Sequence, residues 1–440
     1  MSARGFEIAD RLLAQAAKMG AEARVVVREH AMGHVRFAAS ELTTAGDFDT
    51  TTASIAIAFG NKHASAETNQ TTDDALAALA ARTATLARAA PEDPEYLAPL
   101  GPTRYPRNAR AWDEASAALD PTARARAARE AIALADSRAI VIAGFVQSHR
   151  TETTIATSAG LRADHRATWS QMTATARTAD GTGSGWSGAN ATSASEIRGA
   201  EIARDACDRA ERSRAPRKID PGRYTVVLEP SCVASLLAHY VEAADARAAD
   251  QGRSYFSSHR VGDAIFDPRV VLRSDPLDPE TPGCPFDDEG VALDPTTWIE
   301  SGAPKNLYSS RFWARKSGRN ATGSRSTWHL SSTSAAPDAN ALVAQIKRGL
   351  VVTRFWYVRW LDPKQILLTG LTRDGVFLIE DGKVTHAVNN FRFNDSPLKM
   401  FQRLVGMTQQ TWRTPAEDTI YRAPIVACDD FEMSSGSDAI

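Results

Sequence analysis

His239 and Glu242 are the two side chains whose spacing points most directly to metal chemistry. The segment His239-Tyr-Val-Glu242 lies in a stretch that predicts a helix over residues 231–246. Residues three apart share one helix face, so the imidazole and the carboxylate could bind one cation. A catalytic zinc usually takes three protein ligands, and such a pair more often forms a hydrogen bond within the helix. The residues alone favour the hydrogen bond and leave the metal site as an alternative.

The segment Gly183-Ser-Gly-Trp-Ser-Gly188 has the glycine spacing of a dinucleotide-binding loop. That function needs the first glycine at the end of a strand and an acidic residue about 20 positions further on, at the tip of a second strand. The preceding predicted strand ends near Arg177, and the acidic residues at that distance, Asp205 and Asp208, fall within a predicted helix. The pattern therefore predicts a flexible loop around Trp186.

The segment Asp287-Asp-Glu-Gly290 concentrates three carboxylates behind a proline. Carboxylate oxygens suit a hard cation such as Ca²⁺, but the spacing of an EF-hand does not surround them. Short acidic runs usually form solvated surface. The segment is therefore interpreted as a solvated turn or a salt-bridged loop.

The segment Phe355-Trp-Tyr-Val-Arg-Trp360 predicts an aromatic strand. Strand alternation places Phe355, Tyr357 and Arg359 on one face and Trp356, Val358 and Trp360 on the other. Core packing is the ordinary explanation. The alternative is a surface for a peptide or a partner, because aromatic residues and arginine concentrate at interfaces. Glu242, Phe355, Trp356, Tyr357 and Trp360 are therefore the candidate contact residues.

The elements that must position these side chains predict an α+β fold with two mixed domains. Residues 1–215 combine amphipathic helices with alternating strands, and the basic, proline-containing stretch 212–221 marks the predicted boundary. Residues 216–440 are predicted to be richer in antiparallel sheet. Asp381-Gly382 separates two of its predicted strands and is typical of a type I′ hairpin turn.

Composition excludes several classes of function. Among 440 residues, Lys and Arg number 51 and Asp and Glu 53, for a net charge of −2, which argues against a nucleic-acid partner. The apolar stretches are far shorter than the roughly 18 residues that a membrane span needs. The N-terminal segment lacks the apolar region of a signal peptide, and the four cysteines lack the spacing of a zinc or redox pair, so we expect a cytoplasmic protein.

The order of several motifs resembles the TldD/PmbA family. These motifs lie mainly in the second half of the chain, and the helix and strand pattern of the first half fits more loosely. The segments that carry the resemblance are 222–230 (GRYTVVLEP), 286–290 (FDDEG), 352–357 (VTRFWY), 368–380 (LTGLTRDGVFLIE) and 389–397 (NNFRFNDSP).

The resemblance implies a zinc protease of two unlike subunits, in which a TldD-type subunit carries a helix with the motif HExxxH and a TldE (PmbA) subunit does not. In this chain the corresponding segment is Leu236-Leu-Ala-His-Tyr-Val-Glu-Ala243. Ala238 and Ala243 occupy the two ligand positions, and His239 replaces the glutamate base. Alanine offers no donor atom to a metal, and Cys428 falls later than the family's third ligand position, near Trp412.

The resemblance therefore predicts a non-catalytic TldE-like subunit that has no cofactor of its own and assists a zinc-bearing HExxxH subunit in cleaving unfolded peptides and leader peptides. Two alternatives remain: a stand-alone peptide-binding or chaperone-like protein, and a hydrolase with a metal site at His239 and Glu242. Whether the isolated chain forms a homodimer stays open at this point.

Overall fold

Two β-sheets dominate the structure, a computed structural model that describes residues 3–414 and 419–438. The first half of the chain forms a six-stranded sheet and the second half an eleven-stranded sheet. Helices pack on both sheets, and most strand pairs of the second are antiparallel, so the predicted α+β class is confirmed. The boundary between residues 1–215 and 216–440 stays a prediction; the first sheet ends at Ala191 and the second begins at Gly222.

The first sheet is antiparallel throughout, with strand order β3-β2-β1-β4-β5-β6. Four of its strands are long, at 17 to 19 residues. The strands are β1 (Glu22–Ala38), β2 (Glu41–Phe59), β3 (Lys62–Thr68), β4 (Ile140–Thr157), β5 (Arg162–Thr178) and β6 (Ser184–Ala191).

The helices of the first half cover one face of this sheet in two groups. Val25 and Val27 of β1 pack with the first two helices, and Val35 and Phe37 pack with the fourth and fifth. These four residues alternate along one strand, so both groups lie on the same side. The helices are α1 (Ala3–Lys18), α2 (Asp73–Ala89), α3 (Glu114–Ala117), α4 (Pro121–Asp136) and α5 (Gly199–Arg212), with 3₁₀ turns at Ala109–Ala111 and Ala194–Glu196.

The second sheet has the main strand order β10-β9-β8-β11-β17-β15-β13-β12-β7, with β14 beside β13 and β16 beside β17. Its strands are β7 (Gly222–Leu228), β8 (Val270–Ser274), β9 (Thr296–Glu300), β10 (Ala303–Pro304), β11 (Thr327–Ser332), β12 (Arg348–Asp362), β13 (Leu367–Glu380), β14 (Lys383–Val388), β15 (Asn390–Asp395), β16 (Leu404–Thr414) and β17 (Ile420–Ser437).

Five further helices accompany the second sheet. They are α6 (Pro230–Ala243), α7 (Ala246–Asp250), α8 (Arg311–Ser317), α9 (Ala339–Val343) and α10 (Leu398–Gln402), with a 3₁₀ turn at Tyr255–Ser257. The largest hydrophobic core lies between α6 and the sheet. Within residues 3–414 and 419–438, no helix has the length and apolar character needed to cross a membrane.

The glycine-rich segment Gly183–Gly188 is not the predicted flexible loop, because most of it forms β6. The glycines serve close packing of a helix on a strand. A Cβ atom at Gly185 would lie 2.1 Å from the carbonyl oxygen of Ala206, and one at Gly183 would lie 2.2 Å from that of Ala210. Any side chain at these positions would push α5 off the sheet.

Two predicted turns have the expected form. Asp381 and Gly382 both have positive φ angles, 45° and 76°, as a type I′ hairpin turn requires. The acidic segment 287–290 is a turn in which Asp288 forms an ion pair with Arg28 of β1, as the salt-bridged alternative predicts. This turn also brings Phe286 against Leu161 and Val26, on the face of the first sheet that its helices leave open.

Candidate functional site

Helix α6 begins directly after β7 and lies beside β12. Pro230 occupies its first turn, a position that suits proline because an amide hydrogen there would lack a partner within the helix. The residues that face the second sheet are fully or almost fully buried: Cys232, Val233, Leu236, Leu237 and Tyr240. The opposite face carries Ser235, Ala238, His239 and Glu242, at the spacing of one helical face.

Ala238 and Ala243 are half-buried methyl groups at the edge of the core. A methyl group has no lone pair, so neither residue can bind a metal ion. Moreover, the part of the chain that the structure describes contains no group of three His, Cys, Asp or Glu residues placed to hold one. The residues present do not fit a zinc centre of the kind that the family resemblance implies for the other subunit.

His239 is held by its own helix. Its Nδ1 lies 2.8 Å from the carbonyl oxygen of Ser235, and since a carbonyl only accepts, Nδ1 donates the hydrogen. The ring also contacts Trp360 edge-on, with centroids 5.2 Å apart. The favoured helical hydrogen bond therefore exists, but its acceptor is the backbone and not Glu242.

Glu242 is exposed near the end of α6, close to the last strand of the sheet. Burial raises the pKa of Tyr421 in β17 to about 12, and the negative charge of Glu242 adds to that rise. The carboxylate is thus near a neutral phenol, and within residues 3–414 and 419–438 it belongs to no group of three His, Cys, Asp or Glu residues that could hold a metal.

Phe355 belongs to the core, which corrects its prediction as a surface contact. Its side chain is 4% exposed and packs against Phe393 and Phe431, with ring centroids 4.4 and 5.9 Å away. A residue so enclosed cannot touch a partner without unfolding its surroundings. Its role is to fix the inner face of β12.

Trp356, Tyr357 and Trp360 occupy three different environments. Trp356 and Tyr357 are 42% and 64% exposed, whereas Trp360 is half-buried against His239. The predicted alternation fails because the pairing of β12 with β13 skips between Trp356 and Arg359, and Tyr357 has a φ of +57°. This bulge turns Tyr357 away from the face that Phe355 occupies.

A buried ion pair that the sequence does not reveal joins β12 to the neighbouring strand β13. Arg354 Nη1 lies 3.0 Å from Asp374 Oδ2, and Ser184 of β6 donates a 2.6 Å hydrogen bond to Asp374 Oδ1. Burial lowers the pKa of Arg354, and the Asp374 carboxylate offsets part of that shift. The contact joins the two sheets through residues 190 positions apart, a separation that no local sequence signal reveals.

A second ion pair lies at the start of α6. Arg209 of α5 donates from Nη2 to Glu229 Oε2 over 2.6 Å and from Nη1 to the carbonyl oxygen of Trp186. Burial raises the pKa of Glu229, and the guanidinium of Arg209 counteracts the rise. The Arg209–Glu229 ion pair and the Ser184–Asp374 hydrogen bond thus join the α6–β12 region to the first half of the chain.

Cys232 and Cys428 are buried thiols beside this region. Burial raises the pKa of both well above the ordinary value, so both are protonated near neutral pH. Cys428 lies in β17 within the core, as expected from its place in the last strand. Neither sulfur belongs to a group of three His, Cys, Asp or Glu residues that could hold a metal within the described part of the chain.

The comparisons with known proteins agree with this architecture. The family model for the PmbA/TldA metallopeptidase C-terminal domain matches residues 221–435, and that for the central domain of the same family matches residues 114–214. Together they cover well over half of the chain. No protein sequence of curated function matches it.

Three solved structures share the fold over nearly their whole length. TldE from Thermococcus kodakarensis superposes with a TM-score of 0.88 at 15% identity, covering 97% of this chain and 99% of that one. A putative modulator of DNA gyrase from Thermotoga maritima gives 0.83 at 18%, with 97% and 99% covered. One described in the same way from Bacteroides thetaiotaomicron gives 0.84 at 19%, with 99% and 100% covered.

The two sheets, the α6 helix and the matched domains thus define a metallopeptidase-like protein. The chain belongs to the PmbA/TldD family, and its fold is that of TldE.

Proposed function

We propose that this chain is the non-catalytic, TldE-like subunit of a two-chain metallopeptidase. The observation that carries the proposal is α6, where Ala238 and Ala243, at the positions that the family resemblance assigns to metal ligands, are methyl groups and His239 hydrogen-bonds to Ser235 of its own helix. A metallopeptidase needs a metal-bound water as nucleophile, and these side chains cannot hold the metal. The zinc then belongs to a partner subunit of the HExxxH type.

The partner, the substrate and the location follow from this assignment. The substrate is an unfolded or extended peptide, including leader peptides, and this chain contributes binding surface while the partner cleaves. Four free cysteines, separate in sequence, support a reducing compartment such as the cytoplasm. In the absence of its partner the chain is free to form a homodimer.

One specific observation favours a second candidate function, a stand-alone peptide-binding or chaperone-like protein. Trp356 and Tyr357 are large, exposed aromatic side chains next to α6, and exposed apolar clusters mark interaction sites. That candidate needs no partner subunit. The third interpretation, a hydrolase with a metal at His239 and Glu242, lacks a third ligand among the described residues.

Co-expression with an HExxxH-bearing paralogue from the same organism tests the proposal. We expect the two chains to co-purify and the mixture to cleave an unfolded peptide much faster than either chain alone. A matched control replaces the HExxxH glutamate of the paralogue by glutamine. This change should abolish cleavage, and the two chains should still co-purify. Cleavage by the paralogue alone at the rate of the mixture would contradict the assisting role.

A further inference from the structure

Strand β2 has an unpaired outer edge over residues 41–52, the β2 edge. On its inner side, β1 pairs with β2 from Glu41 to Ala58. On its outer side, β3 pairs only with Ala53 to Phe59, and within residues 3–414 and 419–438 no other strand pairs with β2. A row of backbone amide and carbonyl groups therefore faces solvent along roughly 40 Å of strand.

The two terminal strands of the first sheet are protected in ways that the β2 edge is not. Strand β3 is short and carries Lys62 and Glu67, and β6 contacts the second sheet, where Ser184 donates to Asp374. Edges that stay free in solution usually carry lysine, proline or bulges. Residues 41–52 contain no Lys, Arg or Pro, threonine is their commonest residue, and the one register shift against β1 lies near the tip.

Two large apolar side chains of the β2 edge are exposed on opposite faces of the sheet. Leu42, 41% exposed, pairs with Phe37 and lies on the face that the helices cover. Phe48, 47% exposed, lies on the open face, where its ring contacts His30 edge-on with centroids 6.3 Å apart. A single added strand would touch only the flanks of these two side chains. A folded chain can cover both, so the edge suits a folded partner better than a lone peptide.

The charges of the β2 edge permit two copies of it to approach each other. Asp47 forms an ion pair with Arg124 of α4, and Asp49 forms one with Arg150 of β4 over 3.1 Å. These two carboxylates near the middle of the edge are thus compensated within their own chain. Glu41 lies at one end, so the two copies of this residue would lie at opposite ends of an antiparallel pair and would not repel each other.

We propose that the β2 edge pairs antiparallel with the β2 edge of a second copy of this chain. Antiparallel strands exchange hydrogen bonds in both directions, so a strand can pair with its own copy about a two-fold axis. The two six-stranded sheets then join into one, and the unpaired amides and carbonyls of both edges gain partners. The proposed function allows a homodimer in isolation, and this pairing, which needs no zinc-bearing partner, gives the homodimer its surface.

The test measures the mass of the full chain in solution by sedimentation equilibrium over a range of concentrations. We expect a reversible dimer at micromolar concentrations. A chain that stays monomeric, yet captures the HExxxH paralogue or an unstructured peptide through the β2 edge, would replace the second copy by that ligand and overturn the proposal.

Two variants connect the dimer to the β2 edge. Leu42→Lys and Phe48→Lys each place a charge on one face of the edge and should raise the dissociation constant of the dimer about tenfold or more. Val261→Lys is the matched control, because Val261 is 49% exposed and lies in the second half of the chain, and it should leave the dimer unchanged. Thermal unfolding verifies that all three variants are folded.

Chemical cross-linking tests the pairing itself. Ala45 is exposed near the middle of the β2 edge, so two chains carrying Ala45→Cys should be joined in high yield by a short bis-maleimide linker. Ser65→Cys, at an exposed position of β3, is the matched control and should give little cross-linked dimer. The unmodified chain sets the background from the native cysteines.

A monomer at all concentrations, a dimer that Leu42→Lys and Phe48→Lys leave unchanged, or equal cross-linking at positions 45 and 65 would overturn the pairing. If one lysine variant fails to fold, the other and the cross-link still decide. Cleavage by the two-chain complex is a separate measurement. An active complex without the homodimer rejects only the pairing, and a homodimer without an active complex rejects only the subunit proposal.

Discussion

Helix α6 and strand β12 are neighbours that use their outward positions in opposite ways. On α6, two of the outward residues make little surface of their own: Ala238 is a methyl group, and the His239 ring hydrogen-bonds to its own helix. On β12, large side chains project into solvent from a strained backbone, with Tyr357 the clearest case. The contrast indicates that α6 contributes mainly to packing, whereas β12 exposes large side chains from a backbone that its register skip distorts.

The strongest test of this contrast compares two adjacent aromatic residues of β12. Phe355→Ala removes a ring enclosed by Phe393 and Phe431 and should lower the free energy of unfolding by about 3–5 kcal/mol. Tyr357→Ala should change it by less than about 0.5 kcal/mol, because that ring is mostly solvated. Urea unfolding measures both. Similar losses for the two variants would show that Tyr357 is a structural residue after all.

Breaking the buried ion pair between Arg354 and Asp374 should have the second-largest effect on stability. Asp374→Asn leaves the Arg354 guanidinium without its counter-charge and should cost about 2–4 kcal/mol of stability. The control is Glu432→Gln, which removes one partner of Arg223 in an exposed pair and should cost less than about 0.5 kcal/mol. Equal stability of both variants in thermal unfolding would mean that the ion pair does not stabilise β12.

A pH experiment separates the first sheet from the α6–β12 region. His149 is buried between His30 and Trp169, and burial lowers its pKa to about 3. The unfolded chain binds a proton near pH 6.5 and the folded chain does not, so stability falls as the pH drops below 6.5. Between pH 7 and 5 we expect His149 to account for a loss of about 2 kcal/mol.

The variant His149→Phe keeps a ring on Trp169 and removes the titration. Between pH 7 and 5, the free energy of unfolding of this variant should therefore fall by about 2 kcal/mol less than that of the unmodified chain. His165, whose pKa burial lowers to about 4, remains in both proteins and cancels in the difference. Parallel pH profiles for the two proteins would contradict the assignment of the effect to His149.

The smallest expected effect is on peptide cleavage, after substitutions in α6. Rebuilding the motif with Ala238→His, His239→Glu and Ala243→His should not create an efficient protease. Two imidazoles form an incomplete site, since a catalytic zinc takes a third protein ligand and hydrogen-bonded support for its ligands. Peptide cleavage above that of the unmodified chain, abolished by a chelator, would reveal a third ligand and give α6 a latent catalytic role.

The elements that follow from local pattern could be predicted from the sequence. The α+β class, the α6 helix after Pro230 and the type I′ turn at Asp381 and Gly382 all depend on periodicity or on the φ angles that certain residues tolerate. Strand β6 could not be predicted in this way. Its glycines allow α5 to pack directly against the strand, and this contact between distant segments leaves no local sequence pattern.

The candidate site was predictable only in part for the same reason. That Ala238 and Ala243 offer no donor atom to a metal can be read from the sequence, because the donor atoms of a residue do not depend on its surroundings. The separation of Phe355 from Tyr357 could not, since it results from a register skip against β13. The contact of Arg354, Asp374 and Ser184 likewise joins the two sheets, and the sequence alone does not predict how the sheets pack together.

The zinc content of the purified chain tests the central claim most directly. After growth with zinc and exhaustive dialysis, elemental analysis should find far less than one zinc ion per chain, and the His239→Ala variant should give the same value. A purified HExxxH paralogue, treated alike, serves as the positive control. About one tightly held zinc per chain that is lost on His239→Ala would contradict the account and make this chain a metalloenzyme in its own right.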